Sequence, residues 1–295
     1  MIGSFLTYLQ SECNRSQLTS LTYQICLEDF EHYIKGRDEA LDWTNIDQDV
    51  VRDWMVDLME RGNSPRTICK KLSAIKTFYR FLLQRGLVEA NPVHTLQGPK
   101  QDKPLPVFVR ESEMNKLLDG DYFEDNLKGK QDRLILLILY STGIRRSELS
   151  GLNWTDVDLA QRQLKVTGKR NKQRIVPFGE ELHDVMAGYA QLMKAFEKEH
   201  DEQALLVNLK TGRRISGEQI YLTVKHYLSF VTTLKKRSPH VLRHTFATTM
   251  LNNEANLQSV KELLGHENLA TTEVYTHTTF EELRKMYNQA HPRAK

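Results

Sequence analysis

Cysteine is scarce in this 295-residue chain: Cys13, Cys26 and Cys69 are the only three, far apart and without a Cys-x-x-Cys pair. That argues against a disulfide framework or a zinc ribbon and leads us to expect reduced thiols. No apolar run approaches the ~20 residues that span a bilayer. Met1 to Asn14 carries neither the basic n-region nor the apolar h-region of a secretory signal, so a cytoplasmic protein without a membrane partner is expected. Internal repeats and low-complexity tracts are also missing. Net charge is small, +3 at pH 7, which by itself points to no polyanionic partner.

The distribution of charge says more. From Arg61 to Val88 the chain carries Arg61, Arg66, Lys70, Lys71, Lys76, Arg80 and Arg85 with no Asp or Glu between them. Lys165, Lys169, Arg170, Lys172 and Arg174 form a second acid-free cluster. Cations segregated in this way are the footprint of a phosphate-binding surface. With 40% hydrophobic and 27% charged residues, the rest is an ordinary composition that can bury two cores at roughly 100–200 residues per domain.

Residues 1–90 read as helices. Phe5, Leu6 and Leu9 open an apolar stripe, and Leu21, Ile25, Leu27 and Phe30 suggest another. Asp47 can cap a third helix bearing Val50, Val51, Trp54 and Leu58, which stops at Gly62. Ser64-Pro65 is an N-cap followed by proline at the first helical position, opening a fourth helix to about Gln84. On that helix, at about 100° per residue, Arg66, Lys70, Lys76 and Arg80 share roughly a third of the circle. Ile68, Leu72, Ile75, Phe78, Tyr79 and Leu82 occupy the opposite side. A merely solvated face would mix signs; this one reads as a DNA-contacting face.

Half of the eight prolines (Pro92, Pro99, Pro104 and Pro106) fall within 91–109. This stretch is expected to be an extended, polar linker ahead of a second domain at 110–295. Helices are expected over Glu111–Leu118, Gln131–Ser141, Glu180–His200, Glu218–Thr232 and Pro239–Asn252. Gln163–Thr167 and Gln173–Pro177 alternate polar and apolar around a cationic turn, a β-hairpin. The fold class is therefore mainly α with a small β-hairpin.

Four separated segments hold residues suited to a single reaction. Arg145 and Glu148 sit where a helix breaks at Gly143 and restarts. Lys169 sits at the hairpin tip. His240 and Arg243 lie in the first turns of a helix begun by Ser238-Pro239. Gly265-His266 is followed by Tyr275. The pair His240 and His244 could suggest a zinc site, but Val241 stands where a His-Glu-x-x-His protease has its glutamate, and no local Cys or acid joins them. No metal is expected.

Together these segments resemble the active-site motifs of the tyrosine recombinases, the lambda-integrase family, and most closely its Xer type, the XerC and XerD branch. The resemblance covers nearly the whole chain; Arg170 stands where that family commonly has glycine. It implies a helical, SAM-like N-terminal domain that binds core DNA, and a catalytic domain with an exchange tail at about 277–295. The tail stripe Phe280, Leu283, Met286 and Tyr287 could dock on its own domain; the resemblance favours insertion into a neighbouring subunit of a closed ring. It further implies Tyr275 as the nucleophile, Arg145 and Arg243 as phosphate donors, His240 as base or relay, His266 as a phosphate hydrogen-bond donor and Lys169 as general acid. Glu148 would orient its neighbours. Arg66, Lys70, Lys76, Arg80, Arg170 and Lys172 would contact DNA. Implied partners are double-stranded DNA, a homo- or hetero-tetramer with a possible paralogue, and a DNA translocase, with no cofactor. Mobile-element integrase, type IB topoisomerase and a DNA-binding protein without catalysis stand as alternatives.

Overall fold

The computed structural model describes residues 1–101, 107–168, 171–265 and 280–294. The chain divides into two compact units, Met1–Pro104 and Leu105–Lys295.

The first unit is built from α1 (Ile2–Ser11), α2 (Gln17–Arg37), α3 (Gln48–Glu60) and α4 (Pro65–Gln84). Local chemistry sets the starts. The Ser16 hydroxyl accepts from the Thr19 N–H, Asp47 accepts from Asp49 and Val50, and Ser64 accepts from Thr67 ahead of Pro65. Each cap satisfies N–H groups that a helix start leaves unpaired. Aromatic rings fill the core between these helices: Trp43 meets Phe78 at 4.7 Å between centroids and Phe30 meets Trp54 at 4.8 Å, both edge to face.

Two expectations fail here. On α2, Leu27, Phe30 and Ile34 are buried, whereas Leu21 and Ile25 are 50% and 56% exposed. At 100° per residue Leu21 and Ile25 point well over 100° away from Leu27, so the inward stripe is set by Leu27, Phe30 and Ile34. The stretch after α4 is not a free polar linker. Val93 and Leu96 lie in the core of the first unit, and the Cys69 thiol donates to the Pro99 carbonyl at 3.4 Å. Gly98 is required there, because a Cβ would fall 2.5 Å from the Cys69 sulfur. The prolines break helix periodicity but leave the apolar residues between them free to pack back on α4.

In the second unit α6 (Leu127–Thr142) is the central rod: every residue from Leu134 to Thr142 is buried. Around it lie α5 (Glu111–Asp119), α7 (Arg146–Gly151), α8 (Glu180–Lys194), α9 (Gly217–Val231), α10 (Pro239–Asn252) and α11 (Leu257–Leu264). A three-stranded antiparallel sheet, β1 (Val157–Asp158), β2 (Gln163–Thr167) and β3 (Gln173–Pro177), adds the expected hairpin plus one short strand. The register pairs Leu164 with Val176 and Val166 with Arg174, so Arg174 stands on the inward face of its strand. The helix expected to reach His200 ends at Lys194.

Helix α12 (Phe280–Ala290) docks on its own unit: Tyr287 and Ala290 are buried, and Leu283 and Met286 pack against the same core. Beyond it, His291 is buried against the Tyr140 carbonyl, and Arg293 holds Glu181 at 2.7 Å and Asp119 at 2.8 Å. In the single chain the apolar stripe is thus buried against its own unit.

Candidate active site

The site grows from helix ends. At the end of α6 Gly143 adopts a left-handed conformation, φ +60°, and a Cβ there would lie 2.6 Å from the Phe246 ring. At the end of α11 Gly265 does the same, φ +64°. Such turns leave the last carbonyls of a helix without intrahelical donors and slightly negative. Three guanidiniums take them up. Arg243 donates to the Gly143 carbonyl at 2.8 Å and to the Leu264 carbonyl at 2.6 Å. Arg145 donates to the Gly265 carbonyl at 2.8 Å, and Arg174 donates to the Leu263 carbonyl at 2.7 Å.

Glu148 sits at the centre, its side chain 2% exposed. It accepts from Arg145 Nη1 and the Arg145 backbone N–H, each at 2.7 Å, and from both Nη atoms of Arg174 at 3.0 and 2.9 Å. Burial alone would raise its pKa, but Arg174 and the Arg145 N–H outweigh that and hold it at about 2. Burial, then the neighbouring Arg145, lowers the Arg243 pKa to about 10, which leaves it charged at neutral pH. One carboxylate therefore faces three cations. The uncompensated positive charge is fixed in direction by backbone carbonyls, and Arg145, 33% exposed, can reach an outside anion. Paired guanidinium forks suit a phosphate.

His240 and His244 are exposed one turn apart on α10. Desolvation, then the charges of Arg243, Arg146 and Lys236, lowers the His240 pKa, favouring the neutral imidazole that can accept a proton. Among the described residues no group of three or more His, Cys, Asp or Glu is placed to hold a metal ion.

The structure therefore brings together Arg145, Glu148 and Arg243. Lys169, Arg170, His266 and Tyr275 lie outside the described residues. Gly168 and Lys172 close the hairpin, with the Gly168 N–H donating to the Lys172 carbonyl at 2.7 Å. The Lys172 side chain is exposed. On α4, Arg66, Lys70 and Arg80 are exposed, whereas Lys76 is half-buried, donating to the His94 carbonyl at 3.4 Å. Other cations of that segment are neutralised: Lys71 by Asp29 and Arg85 by Glu12.

Sequence reasoning missed Arg174 as a site residue and counted it only in a basic cluster. The signal was present: in Gln-Arg-Ile-Val-Pro, Arg174 shares the parity of Val176, so a cation sits on the strand face that should be apolar.

Comparison with known proteins agrees with this architecture. Residues 108–282 match the phage integrase family, and residues 2–86 match the phage integrase N-terminal SAM-like domain. Tyrosine recombinase XerC of Chlorobaculum tepidum is 39% identical, over 99% of this chain and 94% of the relative. The crystal structure of XerA recombinase is 27% identical with a TM-score of 0.50, covering 99% and 98% of the two chains. XerH recombinase bound to difH substrate, at 23% identity, shares the fold with a TM-score of 0.69, over 96% of this chain and 82% of that one.

Proposed function

Because the chain belongs to the phage integrase family and is a site-specific tyrosine recombinase, we propose that the cluster around Glu148 holds the scissile phosphate of duplex DNA. The observation that carries this reading is the uncompensated positive charge of Arg145, Arg174 and Arg243 around one buried carboxylate.

A phosphodiester under attack becomes a pentavalent centre with extra negative charge on its non-bridging oxygens. Arg145 and Arg243 are the fixed donors for that charge, and being held before the reaction they need little reorganisation during it. Tyr275 Oη attacks phosphorus and the bond to the 5′-oxygen breaks. A 3′-phosphotyrosyl link forms that preserves the energy of the broken bond. A phenol of pKa near 10 is protonated at neutral pH, so it must lose its proton as it attacks. Neutral His240 is the acceptor or relay. Lys169 protonates the departing 5′-oxygen, and His266 donates to the phosphate. Glu148 touches no reacting atom; it positions Arg145. The 5′-hydroxyl of a second duplex then attacks the phosphotyrosine and releases Tyr275, so strands are exchanged without a cofactor or divalent cation.

The exposed cations Arg66, Lys70 and Arg80 on α4, with Lys76, Arg170 and Lys172, contact the DNA backbone. The enzyme works in the cytoplasm as a tetramer on two DNA sites, alone or with a paralogue. It resolves joined chromosomes or plasmids before cell division, under the control of a DNA translocase. The likeness to XerC along nearly the whole chain supports this role over that of a mobile-element integrase.

The test is a covalent protein–DNA adduct on core-site fragments of the host chromosome. Wild-type protein should form an adduct that survives denaturant, and Tyr275→Phe should form none. An adduct that persists in Tyr275→Phe would remove that residue from the nucleophile's place.

A further inference from the structure

A second cationic site lies in the catalytic unit, apart from the residues around Glu148. Tyr221 and Lys225 on α9, with Lys235, Lys236, Arg237 and Ser238 ahead of α10, line a cleft of about 280 Å³. Among the described residues no carboxylate lines it and none of its four cations forms an ion pair. Arg293, by contrast, is neutralised by Glu181 and Asp119. Like charges collected in one concavity repel unless an anion enters.

Ser238 is 8% exposed, and its buried hydroxyl has no partner among the described residues. The buried Nε of Arg237, its neighbour in the same cleft, has none either. Native proteins pair nearly all buried polar atoms, and two of the unpaired ones belong to residues that line this cationic cleft. A tetrahedral oxyanion supplies several acceptor oxygens and the missing negative charge together.

The geometry points to this cleft as a binding site for a DNA backbone phosphate other than the scissile one. The inference rests on the recombinase reading above. The cleft opens immediately before His240 in the chain, and Lys236 is close enough for its charge to help lower the His240 pKa. Phosphate capture here registers the duplex beside the proton acceptor without touching the reacting atoms. Contacts of this kind position the helix and carry no base information.

The test uses the full chain and a short duplex of mixed sequence, with binding measured across a salt series. Lys225→Gln/Lys235→Gln removes two exposed cations from the cleft. Lys194→Gln/Lys210→Gln removes the same charge from exposed positions of the same unit outside it. Losing one phosphate contact should make the slope of log K against log salt shallower by about 0.9. That change should appear in the cleft variant and be absent in the control, with thermal melts of both matching wild type. Equal slopes for wild type and cleft variant, or an equal change in the control, would overturn the inference while leaving the recombinase reading intact. Wild-type protein that fails to bind duplex at all would instead overturn the reading on which it rests.

Discussion

Arg174 lays both Nη atoms on the Glu148 carboxylate, at 3.0 and 2.9 Å, from the inward face of β3. Its Nε is tied to the Leu263 carbonyl, so the strand, the α7 carboxylate and the end of α11 are held by one planar group. In the proposed mechanism Arg174 is a positioning residue, acting on the proposed phosphate donors through Glu148. Replacing it by methionine leaves a buried carboxylate short of a partner and should cost about 3–5 kcal/mol of stability in urea melts. Arg174→Lys keeps the charge but loses the fork, so it should fold with a smaller loss. It should lower the cleavage rate on pre-bound DNA by roughly tenfold or more, at the scale of one lost charged hydrogen bond. An unchanged cleavage rate would make Arg174 a stability residue only.

Glu148 gives a pH signature. Its pKa, held at about 2, lies below the unfolded value of about 4.3. A group depressed on folding contributes stability that is complete above the unfolded pKa and lost as pH falls through the folded one. The contribution is on the order of 3 kcal/mol at neutral pH. Urea melts from pH 6 down to 2 should show wild-type stability falling mainly below pH 4.5. Glu148→Gln should start lower and lose that part of the pH dependence. Parallel curves would contradict the placement of its charge.

Gly143 should tolerate no side chain. Its φ of +60° and the 2.6 Å approach of the Phe246 ring to a would-be Cβ act together, so Gly143→Ala should cost about 2–4 kcal/mol. Gly151→Ala is the control, since among the described residues nothing lies within 4 Å of its Cβ position; its melting temperature should be unchanged or slightly higher.

His240 titration can be followed by NMR in the free protein. Desolvation comes first among the causes of its lowered pKa, and the Arg146 charge contributes. Arg146→Gln should therefore raise the His240 pKa and shift the acid limb of the cleavage profile upward in pH. A pKa that stays or falls would show that Arg146 does not act on the imidazole.

Much of the fold was legible in the chain because its signals are local. Ser64-Pro65, Asp47 and Gly143 mark helix boundaries through hydrogen bonds to residues within four positions. The hairpin strands Gln163–Thr167 and Gln173–Pro177 follow from simple alternation. The failures are tertiary. Nothing local tells Leu21 from Leu27 on α2, since only the position of the neighbouring helices decides which face turns inward. Val93 and Leu96 sit among helix-breaking prolines, and their burial depends on α4 being there to receive them. At the site, Arg145 and Arg243 were singled out by the family resemblance of their motifs, and the structure places both beside Glu148. Arg174 became visible once Val166 and Val176 set the strand's inward face.

In the proposed mechanism guanidiniums, held by helix-terminal carbonyls, do electrostatically what a divalent cation would otherwise do. Single-turnover cleavage of duplex core-site DNA in excess EDTA tests this most directly, with Arg145→Ala and Arg243→Ala beside wild type. Wild type should cleave at an undiminished rate, and each variant should cleave about 100-fold slower or worse while still binding the duplex. Loss of wild-type cleavage on chelation, or variants that cleave as fast as wild type, would contradict it.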